Sequence, residues 1–455
     1  MVQRLDCVWM LENDILMSQN KRRKNMYIPN ITNAYENIKK ACDTKITQLF
    51  PTGVPQLVEE RYAKELGFLR ESDYIDDFEI LRRLNAEANK CSHIFTMRGT
   101  ITASYIAYLL SNSVVNPLPT HYYCPQCGNF EAVDTKLFGV DLPESQCSKC
   151  GSVLISDGFN LPVEMVWGTD GKKSISFEYN VSEEFLPFAK RVLESIYMQN
   201  EVAPLGTYSR GSTENEIKIV RSGFLILPTG QSIDDYPDLI TYSEDGEICL
   251  SANLIEIKQH FLHRVLMIPN KQIENIISLQ RKTGIYANEI ALKEIRDFKW
   301  TDLYNTSVLD SIESELFRTY KPKTFYDMLC LSCMAHNTYK ESIHKLFEIP
   351  EFKMYPCYAQ EDFFEELLKS GYNREKAFEI SEFIKMGKHN SQMKNYIEKF
   401  DEFDIPQDLK AVAYKYKYLF PRSHGAEYVI MYAKLAYYAK TDRRIFNNVV
   451  LKKGK

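Results

Sequence analysis

Lys172–Phe185 reads KKSISFEYNVSEEF and alternates: Ile175, Phe177, Tyr179 and Val181 fall on one side, Ser176, Glu178, Asn180 and Ser182 on the other. A two-residue period is that of a half-buried strand. The wet face then carries one carboxylate, Glu178, beside the Ser176 hydroxyl. That acid is half of a metal site, the remnant of one, or a surface charge, and the rest of the chain has to decide which.

Outward from this strand, Ser182 is placed to cap a helix in which Phe185, Phe188, Ala189, Val192, Leu193 and Ile196 recur at three-and-four spacing. Strand-like runs follow at SGFLILP (222–228) and RVLMIP (264–269). A further helix is expected from an Asn270 cap to a Gly284 stop. Upstream, helices are expected at about 32–49, 56–69 and 76–95. After them comes TMRGTITASYIAYLL, a loop with Arg98 and Gly99 feeding an apolar helix capped by Thr100, and a helix start beside such a loop can bind an anion. From about residue 300 onward the pattern is helices joined by short turns. Breaks are expected at DLPESQ, APLGTYSRGSTEN and KMYPCYAQ, and the class is α+β.

The 455 residues, 44% hydrophobic and 26% charged, have room for two or three domains. No apolar run reaches the roughly 20 residues that span a bilayer. The start MVQRLDCVWMLEND has acids among its apolar residues and no small-residue cleavage site, so a cytoplasmic protein is expected. A net charge of −5 excludes a chain basic throughout, yet Lys410–Lys455 holds eleven Lys or Arg against Glu427 and Asp442. With Tyr and Phe interleaved (AYKYKYLFPRSH), that segment is either a nucleic-acid signature or a solvated helix face.

Of eleven cysteines, four form two CxxC pairs in HYYCPQCGNFEAVDTKLFGVDLPESQCSKCG: Cys124 and Cys127, then Cys147 and Cys150, nineteen residues apart. Each pair is followed by a glycine, Gly128 or Gly151. Four thiolates at this spacing can close tetrahedrally on Zn²⁺, leaving no open position, so the metal would be structural. Disulfides are the alternative, disfavoured in a reducing compartment. Cys330 and Cys333 lie in an apolar run with no second pair and are read as helix core rather than ligands.

VVNPLPTHYYCPQC, the DLP before the second cysteine pair, and the strand and helix that follow resemble the catalytic core of PolC-type DNA polymerase III, a C-family replicative polymerase. LVEERYAKELGFL, TMRGTITASYIA, KPKTFYDMLCLSCMAHNT, GYNREKAFEISEFIKMGK and YKYLFPRSHGAEYVIMYAKLAYY extend that resemblance collinearly from about residue 27 to 445. It implies a polymerase-like palm built on a nucleotidyltransferase-type mixed sheet, an inserted zinc ribbon, a reduced thumb and helical fingers. The divisions it implies are 1–118 for N-terminal helices and the first part of the palm, 119–155 for the zinc module, 156–284 for the rest of the palm with a much-shortened thumb, and 285–455 for the fingers. Arg98 and Gly99 match the family's phosphate loop, and Lys323, His336, Arg422 and His424 match basic fingers positions, which implies contacts with nucleic acid or nucleotide.

The departures answer the opening question. The family's strand carries Pro-Asp-Ile-Asp-Leu-Asn-Phe, and a third Asp comes from a later strand; two-metal phosphoryl transfer needs such carboxylates. Here Ser176 stands at the first Asp, Glu178 at the second, and Leu266 at the third. A hydroxyl and a leucine cannot replace two anions around Mg²⁺, so a catalytic Mg²⁺ pair is not expected. Asp234, Asp235 and Asp238 form an acid cluster that could rebuild a site or be a solvated turn.

The resemblance therefore implies a pseudoenzyme that has lost nucleotidyl transfer. It would be an accessory or interfering protein in bacterial or mobile-element DNA replication, binding primer–template or single-stranded DNA, a nucleotide or replication proteins, with no membrane partner. The alternative is a minimal active template-directed DNA polymerase with Glu178 as its residual catalytic acid.

Overall fold

The computed structural model describes residues 31–210, 217–295, 303, 306, 308–340, 342–390 and 394–451. Its strands are β1 (Thr96–Arg98), β2 (His121–Tyr123), β3 (Phe130–Ala132), β4 (Ile155–Asp157), β5 (Glu178–Val181), β6 (Val202–Arg210), β7 (Ile217–Ile226), β8 (Ile240–Tyr242), β9 (Ile248–Leu250), β10 (His263–Pro269), β11 (Thr338–Tyr339) and β12 (Tyr416–Tyr418). Seven form one sheet in the order β1-β5-β10-β7-β6-β9-β8. β5 and β10 are parallel, while β1 runs antiparallel to β5 and β7 antiparallel to both β10 and β6. With its many helices the fold is mixed α+β, as the pattern of periods predicts.

Alternation along these strands feeds two separate cores. Met97, Tyr179, Val181, Phe224, Ile226, Val265 and Met267 join the main core, together with the helices Ile75–Lys90, Leu186–Glu194 and Lys271–Thr283. On the opposite face Ala203, Leu205, Leu225, Leu227 and Leu266 pack under Tyr236, Leu239, Leu250, Ile257 and Leu262 in a smaller core. The segment between β7 and β10 thus covers half of the second face. A helix from the far end of the chain, Arg422–Thr441, covers the other half, where Thr96 Oγ1 meets Met431 Sδ at 3.9 Å.

That covering helix corrects the opening reading of the strand. Glu178 and Asn180 are as buried as Tyr179 and Val181, so β5 has no wet face. Residues 174–177 lie outside the ladder, and β5 itself begins at Glu178.

Local signals place most helices correctly. The structure has Ala34–Leu49, Gln56–Glu71 and Ile75–Lys90 where the apolar spacing predicts helices. The Asn270 side chain accepts from the backbone N–H of Gln272 (2.9 Å) and Ile273 (3.2 Å), and Gly284, at φ 71°, ends that helix.

Three local expectations change. Thr96–Arg98 is a strand, and the helix after it is capped by Ser104, whose Oγ accepts from Ala107 N–H at 3.2 Å, not by Thr100. Ser182 caps nothing with its side chain; its hydroxyl meets His93 Nδ1 at 3.2 Å instead. The expected break APLGTYSRGSTEN opens as β6, paired with β7, while residues 211–216 lie outside the described residues. In each case a distant partner outweighs the local preference.

The C-terminal half is helical, with one addition: β11 and β12 pair as a two-stranded ribbon. Cys330 and Cys333 are buried in the helix Phe325–His336, as read. The helix Arg422–Thr441 is buried along most of its length, Arg422 and Lys434 included, so it is not a solvated face. The stretch KMYPCYAQ joins the helices Pro350–Met354 and Gln360–Lys369, with Cys357 fully buried.

Candidate functional site

Arg98, Glu178 and Leu266 stand side by side across the sheet. The register pairs Arg98 with Glu178 between β1 and β5, and Leu266 with Glu178 between β10 and β5. Neighbouring strands lie about 4.8 Å apart, so the three side chains share one row on one face. Glu178 is only 3% exposed. Ser176 Oγ donates to its Oε1 at 2.7 Å, and Arg98 Nε lies 3.4 Å from its Oε2. Leu266 turns into the smaller core with Leu205, Leu225 and Leu227. The row is a cation, an anion and an alkyl group.

Beyond Arg98 the helical half closes over the row. The Arg98 guanidinium donates to the Tyr428 hydroxyl at 3.1 Å. His424 stands one turn earlier on the same helix, its ring 5.6 Å from Tyr428 and stacked on Phe420 at 4.4 Å. Phe420 is in turn 5.0 Å from the His336 ring. Burial, then the charges of Arg98, His336 and Lys385, holds the His424 imidazole well below its usual range, so it is neutral at pH 7. His336 Nε2 lies 3.5 Å from Glu313 Oε1. Burial pushes the Glu313 carboxyl up, but His336 and hydrogen bonds from Ser332 and Tyr432 outweigh it and hold the group below its ordinary value.

Of the six basic or loop residues singled out in the sequence, Arg98, His336 and His424 come together here, and Gly99 is the turn just after β1. Two do not join them. Lys323 is exposed at the start of the helix that His336 ends, roughly 18 Å away at 1.5 Å per residue. Arg422 is buried, with its guanidinium 2.6 Å from Asp362 and 2.8 Å from Glu365, and its backbone N–H donates to Glu361 at 2.7 Å. Two carboxylates pair with its buried guanidinium, so it has no charge to present to an external anion.

The helix start after the Arg98–Gly99 loop is also filled from within. Glu65 accepts from Tyr105 N–H at 2.9 Å, Ser104 Oγ at 2.7 Å, Trp167 Nε1 at 3.1 Å and Arg61 Nε at 2.6 Å. A carboxylate of the chain itself occupies the place where an anion was expected. Tyr428 and Lys385 were missed in the sequence. Tyr428 was legible as the residue four after His424, hence on the same helix face.

The four-cysteine module is the sheet β3-β2-β4 with two matching turns. Gly128 N–H donates to Cys124 O (2.9 Å) and Gly151 N–H to Cys147 O (2.8 Å), and both glycines sit at φ 73°, a conformation that costs other residues free energy. Cys124 and Cys150 Sγ are 3.4 Å apart, and Cys127 and Cys147 Sγ 3.6 Å. A tetrahedron with Zn–S of about 2.3 Å has sulfur–sulfur edges of about 3.8 Å, so the donor set fits one metal ion. None of the four is in a disulfide.

Among the described residues, one other group of three metal-type donors converges, Asp310, Glu313 and His336; Glu178 is in neither group. The acids Asp234, Asp235 and Asp238 are exposed, and Asp235 closes a turn by accepting from Ser232 N–H at 2.7 Å.

Residues 36–288 match the model of the bacterial DNA polymerase III alpha NTPase domain, and the chain belongs to this family. Within it the chain is a PolC-like core homologue. It is 24% identical over 90% of its length to the PolC-type DNA polymerase III of Caldanaerobacter subterraneus subsp. tengcongensis, covering 33% of that protein. The PolC-type polymerases of Staphylococcus aureus and Thermotoga maritima are each 23% identical, over 91% and 93% of this chain and 33% and 35% of their own lengths. The chain thus spans about a third of the length of the curated relatives it matches. Among the described residues no helix is long and apolar enough to cross a membrane.

Proposed function

We propose that this chain is a catalytically silent PolC-like core that binds DNA in the cytoplasm, as an accessory or interfering factor in replication. The sheet half serves as the palm and the helical half as the fingers. The observation that carries the reading is the row Arg98–Glu178–Leu266. A two-metal centre needs several carboxylate oxygens converging on both ions. This row offers one buried carboxylate, and Arg98 and Ser176 already engage it. At the palm–fingers junction the part-exposed Arg98 guanidinium stands with the Tyr428 hydroxyl and the His336 and His424 rings, donors suited to a phosphate oxygen rather than to a divalent ion, while Lys385 is paired with Glu382. The four cysteines hold a structural Zn²⁺, because four thiolates leave no coordination position for water.

Primer extension by the purified chain with Mg²⁺ or Mn²⁺, beside a mobility shift on the same primer–template at low and high salt, tests the proposal. The expected result is salt-sensitive binding without extension. Extension that Glu178→Ala abolishes would instead establish the minimal-polymerase alternative, and no binding at any salt concentration would sink the DNA-binding reading.

A further inference from the structure

The β11–β12 ribbon carries a concentration of lysines that the palm–fingers row does not use. Lys340, directly after β11, and Lys417, within β12, are exposed, and Lys415, just before β12, is half-buried. Lys340 N–H donates to Lys415 O at 3.0 Å, which brings the two side chains' origins onto adjacent strands. Among the described residues no carboxylate pairs with Lys340, Lys415 or Lys417. Burial lowers the Lys340 ammonium below its ordinary range, and the like charges of Lys415 and Lys417 lower it further.

The ribbon is also a direct extension of the junction. β11 starts two residues after His336, and β12 ends two residues before Phe420. At about 3.3 Å per strand residue, Lys340 lies within roughly 13 Å of His336. Beside the ribbon is a cleft of roughly 280 Å³ lined by Tyr339, Leu346, Ile349 and Pro350 together with the charged Lys345, Lys415 and Glu348. Its volume lies just below the range of whole-ligand pockets and is ample for one planar ring.

From this juxtaposition we infer that the ribbon is a track for single-stranded nucleic acid that continues outward from the junction: Lys340, Lys415 and Lys417 contact successive phosphates, and an unpaired base enters the neighbouring cleft. A phosphate backbone supplies the missing negative charge, and only a single strand has a base free to turn aside. The inference rests on the DNA-binding reading but assigns it to different residues.

The test is fluorescence anisotropy of the full chain with a labelled oligothymidylate of about twenty nucleotides, across a salt series. Lys340→Ala/Lys415→Ala/Lys417→Ala is expected to bind about tenfold more weakly, with the salt slope reduced by about 2, given roughly 0.7 per phosphate contact on a single strand. The matching triple Lys→Arg variant is expected to bind like the unaltered chain, which separates lost charge from lost folding. Duplex of equal length is expected to compete poorly, as is polyglutamate. If the alanine triple binds normally while His424→Ala weakens binding, the ribbon inference falls and the junction reading stands. If the triple fails and His424→Ala does not, the junction reading falls alone. Equal competition by duplex or by polyglutamate overturns the single-strand assignment.

Discussion

The Arg98 guanidinium lies 3.4 Å from the Glu178 carboxylate and forms its outer boundary: the Arg98 side chain is 27% exposed, the Glu178 side chain 3%. The carboxylate therefore meets the protein's own cation before it meets solvent. Removing Arg98 strands a buried charge, whereas removing Glu178 leaves a cation that can still turn towards water. Arg98→Ala is expected to destabilise the fold by about 3 kcal/mol and Glu178→Gln by about 1 kcal/mol or less, read from urea midpoints at constant slope. Equal losses would show that the pair is not arranged as described.

The cysteine module predicts a stoichiometric metal. Protein purified from zinc-supplemented medium is expected to carry about one zinc per chain, released by a thiol-specific mercurial and absent from Cys124→Ser/Cys147→Ser. A chelator should expose residues 121–157 to proteolysis while the seven-stranded sheet persists. Full protection without metal would remove zinc from the account.

Sheet half and helical half are clamped by a buried ion pair. Lys173 Nζ lies 2.8 Å from Glu382 and donates to Met165 O at 2.6 Å, and Gln360 also donates to Glu382. Burial brings the lysine down to about 8, while the Glu382 carboxyl, which burial alone would raise, is held at about 2 by Lys173, Lys385 and their hydrogen bonds. Glu382→Leu alone should cost about 3 kcal/mol, because Lys173 stays buried without its partner. Lys173→Met added to it should recover most of that loss in a double-mutant cycle. A depressed carboxyl contributes stability above its unfolded range, near 4.3, and loses it only as the pH falls towards 2.

Glu427 behaves in the opposite sense. It is buried on the helix Arg422–Thr441, where burial lifts its carboxyl to about 7 despite a hydrogen bond from Ser113 and the charge of Lys434. A raised carboxyl favours the fold while protonated, so its contribution is complete below about 4.3 and is lost as the pH rises through 7. Glu427→Gln keeps an acceptor for Ser113 and should flatten that decline. Compared with the unaltered chain, the variant is expected to gain roughly 2 kcal/mol at pH 8.5 and nothing at pH 4. The same gain at both pH values would exclude titration of Glu427.

Much of the architecture was legible because its causes are local. The Asn270 cap and the Gly284 stop are read from single residues, and the two cysteine knuckles from spacing alone. The alternation around Glu178 found the right strand and the right neighbours but the wrong surroundings. The helix that buries this face begins about 240 residues later, and nothing in a two-residue period announces it. Arg422 was misplaced for the same reason, since the carboxylates that absorb its charge come from the separate helix Gln360–Lys369. Three-residue β1 escaped notice because its identity as a strand lies wholly in its pairing with β5. Composition reported the lysines near the C-terminus but not that some line a ribbon while Lys434 is walled inside a helix bundle.

Asp141, between the two cysteine pairs, accepts from the backbone N–H groups of Phe325 (2.6 Å) and Tyr326 (3.0 Å), the first residues of the helix that ends at His336. The cysteine module thus holds the first turn of the helix whose other end carries His336. That helix is also gripped along its length, with Met328, Leu329, Cys333 and Met334 in the main core, so what fixes its first turn also fixes the angle at which His336 is presented about 18 Å away.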